Sequence, residues 1–206
     1  MSEDVATYLQ YLEHVVSRPE AAKAFAEAAV RHHRMETDFN RRLLASCPAP
    51  TALRFPHMEL APPLYWQRNF FSILFLSIFE AIGIQRPRQH LHGMLLHAVR
   101  GIVTATDNIL DDEAKGSVRL HLQGGKVLPN VLVTLLECGV LNQVLRELCS
   151  DESSVAQTWR GMMQALFSLG AEESAEEHAI EDVLEPKALL EQVHAFRGGG
   201  LLLLAF

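Results

Sequence analysis

Apolar residues recur at helical spacing along almost the whole chain, and that period organises everything else. Val5, Tyr8, Leu9, Leu12, Val15 and Val16 mark a first helix. Ser17-Arg18-Pro19-Glu20 joins a Ser-x-x-Glu capping pattern to an early proline. It predicts a second helix that runs to about Ser46 through Ala, Glu and Arg, all good helix formers. Pro48, Pro50, Pro56, Pro62 and Pro63 then punctuate an irregular connector. Residues 64–84 are apolar nearly all round, which predicts a central helix broken by Pro87. A second long helix is predicted over residues 88–114. Gly116 and Gly124-Gly125 bound a loop, and residues 127–149 read as a helix with Pro129 in its first turn. Asp151-Glu152-Ser153-Ser154 opens another, expected to end near Gly170. Residues 172–185 are strongly acidic and read as a solvated helix or loop. Pro186 opens a last helix, interrupted at Gly198-Gly199-Gly200. No strand-like alternation of useful length and no internal repeat is evident. The pattern predicts an all-α fold of seven or eight helices in a single domain. Residues 1–63 supply N-terminal helices and the proline-rich connector, and residues 64–206 supply the helical core.

One stretch breaks the local rules. Asp107-Asn108-Ile109-Leu110-Asp111-Asp112-Glu113 closes the long helix with four acids in seven residues. Helical geometry puts Asp107 and Asp111 on one face, one turn apart, where like charges repel. Acids at a helix C-terminus also oppose its dipole, at a cost of about 0.3–1 kcal/mol each. Local conflicts of this kind point to function. Carboxylates are the ligands Mg²⁺ prefers, with substrate phosphates and water completing its shell. The plain alternative is an acidic, solvated helix end.

Composition narrows the classes. A length of 206 residues, 49% of them hydrophobic, suits one globular domain with a sizeable core. A net charge of −7, with no basic stripe interleaved with aromatics, excludes an ordinary nucleic-acid binder. The apolar run 70–84 contains Glu80 and is too short to span a bilayer, so no transmembrane segment is expected. Cys47, Cys138 and Cys149 show no metal spacing. An odd cysteine count behind an acidic N-terminus without a signal core predicts reduced thiols in the cytoplasm. His90, His92 and His97 share a helix with the acids, but none stands at the four-residue spacing of a helical zinc pair. Together with His32 and His33 they are expected to be structural or exposed. Phe70, Phe71, Phe75 and Phe79 are expected to be core. No nucleophile elbow, P-loop or dinucleotide fingerprint is present.

Asp107-Asn108-Ile109-Leu110-Asp111 resembles the first aspartate-rich motif, DDxxD, of the trans-isoprenyl diphosphate synthases, within the class I terpenoid synthases. It is equally similar to the DxxxD of head-to-head synthases of the squalene and phytoene type. Arg197-Gly198-Gly199-Gly200-Leu201 resembles the family's Lys-Thr-Gly segment at a break in a helix. Lys115-Gly116 resembles a shortened Arg-Arg-Gly segment. The resemblance covers residues 64–206. Asn108 departs from it, standing where the family usually has Asp. The N-terminal site for isopentenyl diphosphate has no counterpart before Asp107, and no second aspartate-rich motif follows Arg197. The chain therefore reads as the front part of a longer protein, incomplete at its C-terminus.

The resemblance implies a class I isoprenoid-synthase-like helical bundle, a prenyl diphosphate substrate, Mg²⁺ as cofactor and a homodimer. It gives Asp107 and Asp111 the metals, with Asp112 supporting them, and gives Arg197 the diphosphate. Lys115 would add charge beside the substrate. Arg100 either does the same or simply pairs with a nearby acid. Ile102 and Val103 fall where the family sets product length, and neither is aromatic, which favours a longer prenyl chain. Three functions follow as expectations: a Mg²⁺-dependent prenyl transferase or head-to-head synthase, a terpene cyclase on one prenyl diphosphate, or a non-catalytic helical subunit or binding module that keeps the fold.

Overall fold

A computed structural model describes residues 19–47, 57–60, 66–110, 118–121, 125, 127–178 and 187. Five helices and one short ribbon make up the described residues: α1 (Pro19–Ser46), β1 (His57–Leu60), α2 (Trp66–Ala81), α3 (Arg86–Leu110), β2 (Val118–His121), α4 (Val127–Leu148) and α5 (Glu152–His178). The fold is all-α in character. The helices expected over residues 5–16 and after Pro186 lie outside the described residues.

Helix α1 starts at Pro19, as the capping pattern predicts, because proline's fixed φ suits a first turn. Ala22, Phe25, Ala28, Ala29, His32, Met35, Phe39 and Leu43 recur on one buried face. This face packs against α2, where Asn69, Ile73, Leu76 and Phe79 are buried, and against α3, where Met94, His97 and Ala98 are buried. Gly93 on α3 marks a close approach of the three helices. A Cβ there would lie 3.2 Å from Leu76 Cδ2 on α2 and 3.3 Å from Met35 Cγ on α1.

The end of α2 differs from the expected break at Pro87. Gly83 adopts φ 79°, its amide bonds the Glu80 carbonyl at 3.0 Å, and the Ile84 amide bonds the Phe79 carbonyl at 2.9 Å. A left-handed residue closes this helix, and glycine adopts that conformation without strain. Pro87 instead falls in the first turn of α3. Gln89 staples the corner, its Nε2 donating to Glu80 Oε2 at 2.7 Å and to the Ile84 carbonyl at 2.6 Å. Helix α2 is not buried all round either, since Phe71, expected in the core, is 64% exposed while Phe75 and Phe79 are buried.

The proline-rich connector, expected to be irregular, contributes a strand. β1 pairs antiparallel with β2, with His57 opposite His121 and Leu60 opposite Val118. Val118 and Leu120 are buried. Helix α5 is longer than expected. It passes through Gly170, where a Cβ would meet nothing within 4 Å, and takes in the first seven residues of the acidic run. Asp151 caps it, accepting from the Ser154 amide at 2.9 Å.

Helix α4 is the one described helix long and apolar enough to cross a membrane. Val133, Glu137, Val140, Leu141, Val144 and Leu145 are buried, whereas Val127, Leu128, Val131 and Leu135 are exposed. The chain divides into two compact units, Met1–Val144 and Leu145–Phe206. The first contains α1 to α3, the ribbon and most of α4. The second contains the end of α4 and all of α5.

Candidate functional site

The acidic motif begins on the last turn of α3. Asp107 is half-buried there, in a turn that carries no basic residue. Asn108 is turned inward. It is buried, and its Nδ2 donates to Asn130 Oδ1 on the first turn of α4 at 3.3 Å. The residue at the departing motif position thus ties α3 to α4. Ile102 is buried and Val103 half-buried on the same helix. Asp111, Asp112, Lys115 and Arg197 lie outside the described residues. Of the expected metal ligands, Asp107 alone is described. Its carboxylate is a hard oxygen donor suited to Mg²⁺. Among the described residues, no group of three or more His, Cys, Asp or Glu could hold a metal ion.

Arg100 stands two turns before Asp107, but its guanidinium enters the core. Nη1 donates to Asn69 Oδ1 on α2 at 2.8 Å, and Nη2 donates to His97 Nδ1 at 3.4 Å. An amide and an imidazole are thus among its partners. Around it lies a polar cluster that sequence reasoning missed: His32 and Glu36 from α1, Asn69 from α2, His97 from α3 and Glu137 from α4, all buried. The His32 and His97 rings are 6.1 Å apart, and Phe39 stands edge-on to His97 at 4.6 Å.

Burial sets the protonation of this cluster. It pushes His32 down to about 3, helped by the charges of Arg100 and His33. It holds His97 well below the ordinary imidazole range, with Arg100 and His32 acting the same way. It raises Glu137 to about 8, against the opposing pull of Arg100. It also raises Glu36, opposed by Arg100, His33 and a hydrogen bond from Asn69. At neutral pH both imidazoles are uncharged and the Glu137 carboxyl carries its proton. Arginine only donates, so His97 Nδ1 accepts and its Nε2 carries the hydrogen. That Nε2, His32 Nε2 and both Glu137 oxygens are buried without a hydrogen-bond partner. Unsatisfied buried groups are costly, and each calls for a reason.

Two signals in the sequence point to the cluster. Glu137 is the only charged residue from Val127 to Leu145, and Gly101 lies opposite it on α3. The histidines expected to be structural or exposed are largely structural. His32 and His97 are core residues, and His90 pairs with Asp38 at 3.1 Å between α3 and α1. A comparison with protein-family models, curated proteins and solved structures returns no match.

Proposed function

We propose that the chain is a cytoplasmic, Mg²⁺-dependent isoprenoid synthase that ionises an allylic prenyl diphosphate, for prenyl transfer or head-to-head coupling. The observation that carries this reading is a long helix ending on acids. Asp107 sits half-buried in the last turn of α3 and opposes the helix dipole, and Asp111, Asp112 and Glu113 follow in sequence. The dipole opposes such a placement, and a bound cation would offset that opposition. In this reading Asp107 and Asp111 hold the metal, with Asp112 orienting them or their waters. Bound Mg²⁺ supplies charge stabilisation to the departing pyrophosphate oxygens. Arg197 and Lys115 add cationic hydrogen bonds to the same oxygens. Ile102 and Val103 contribute apolar wall, which keeps water from a carbocation. A cyclase acting on one prenyl diphosphate would use the same residues, and a homodimer fits either chemistry.

One observation favours a second reading, a non-catalytic helical module. Asn108 is committed to Asn130, where the family usually carries an acid. Titration of Mn²⁺, followed by electron paramagnetic resonance with and without inorganic pyrophosphate, separates the two. Pyrophosphate should tighten Mn²⁺ binding, and Asp107→Ala should weaken it at least tenfold in folded protein. Equal Mn²⁺ affinity in the wild type and Asp107→Ala would favour the module.

A further inference from the structure

The Glu137 carboxyl lies flat against Gly101. A Cβ at that glycine would stand 2.5 Å from Glu137 Cδ and 2.5 Å from Oε1. Glu137 is 1% exposed, and neither oxygen has a hydrogen-bond partner. Arg100, the residue before Gly101, is the charge that acts on this carboxyl, and Asn69 and His97 are among the partners of its guanidinium. Asn69 in turn bonds the Glu36 carboxyl.

We propose that Arg100 is a proton-gated toggle. It is tied to Asn69 on α2 while the Glu137 carboxyl is protonated, and is drawn to that carboxyl on α4 when it ionises. The inference is independent of the reaction proposed above. A neutral carboxyl is the form least penalised in a buried site without partners. Ionisation there leaves a buried, unpaired charge, which is strongly unfavourable unless a counter-charge closes on it. The Arg100 guanidinium is the cation that acts on Glu137, and its planar fork suits a carboxylate bidentately. To reach the carboxylate, Arg100 leaves Asn69 and His97. Helix α3 then exchanges a polar tie to α2 for one to α4.

The titratable and charged groups of the cluster are His97 and Arg100 on α3, His32, His33 and Glu36 on α1, and Cys138 on α4 itself; α2 contributes the amide of Asn69. His32 and His97 are neutral well below the range in which Glu137 ionises, so they do not compete. Burial keeps Glu137 protonated to about pH 8, which places the toggle just above neutrality. Burial raises the Cys138 thiol, and the Glu137 charge raises it further once that carboxyl ionises.

Nuclear magnetic resonance of the full chain tests this from pH 6 to 10. The Glu137 carboxyl carbon, the Asn69 side-chain amide and Arg100 Nε should shift with a common midpoint near 8. In Glu137→Gln, the Asn69 and Arg100 signals should stay still across the same range. The proposal is overturned if Asn69 and Arg100 do not respond while Glu137 titrates. It is also overturned if Glu137 titrates in the ordinary carboxylate range, or if Glu137→Gln responds as the wild type does. The wild-type titration decides alone should the variant fail to fold.

Discussion

Replacing Glu137 by Gln removes an ionisable proton while nearly keeping the shape of the side chain. The folded protein holds that proton up to about pH 8, whereas an exposed glutamate in the unfolded chain loses it near 4.5. Between those values the folded state binds one more proton than the unfolded state. Wild-type stability therefore falls as pH rises through this window, and the loss saturates above about pH 8. Each pH unit is worth about 1.4 kcal/mol, so the wild type loses about 3 kcal/mol between pH 4.5 and 7 from this group alone. That is a large part of a typical stability of about 5–15 kcal/mol. The buried Gln amide adds an offset, but one that does not change with pH. Urea unfolding of both proteins at several pH values measures the effect. His32 and His97 titrate in both proteins and cancel in the difference. Glu137→Gln should gain on the wild type by about 3 kcal/mol between pH 4.5 and 7. A difference that stays flat across that range would refute a buried, proton-holding Glu137.

Two more outcomes follow from the same cluster. His32 and His97 are neutral in the fold and charged in the unfolded chain below about 6.5, so their stabilisation is lost as pH falls through that value. With Glu137 acting in the opposite direction, wild-type stability should peak near pH 6.5. His32→Gln should flatten the acid limb by about 1.4 kcal/mol per pH unit in the same unfolding assay. Gly101→Ala places a methyl 2.5 Å from the Glu137 carboxyl. It should destabilise by about 1–3 kcal/mol although alanine is the better helix former. Adding Glu137→Ala should recover most of that loss, and additive single effects in a double-mutant cycle would contradict the contact.

The sequence made some parts of this chain legible and hid others for identifiable reasons. Helix α1 was readable because its start combines a cap and a proline with a long apolar stripe. The close of α2 was misplaced because Pro87 is the louder signal, while Gly83 acts through a positive φ visible only in the backbone. Helix α5 was cut short at Gly170, since an exposed glycine weakens a helix by only about 1 kcal/mol and does not end it. The ribbon escaped notice because four-residue strands carry little periodicity and their pairing joins distant residues. At the candidate site, Asp107 stood out by its charge pattern. The Arg100 cluster did not, because its members come from four helices and each looks ordinary within its own. Arg100 itself is expected to meet an acid or a substrate, and the amide of Asn69 is among its partners.

Pyrophosphate release tests the proposed function most directly. The protein is incubated with Mg²⁺ and farnesyl or geranylgeranyl diphosphate, with and without isopentenyl diphosphate, beside Asp107→Ala and Asp111→Ala. The account predicts release that both substitutions abolish, and dependence on isopentenyl diphosphate would mark chain elongation, while independence would mark cyclisation or head-to-head coupling. No release from either substrate by folded wild-type protein would contradict an isoprenoid synthase and leave a non-catalytic helical module.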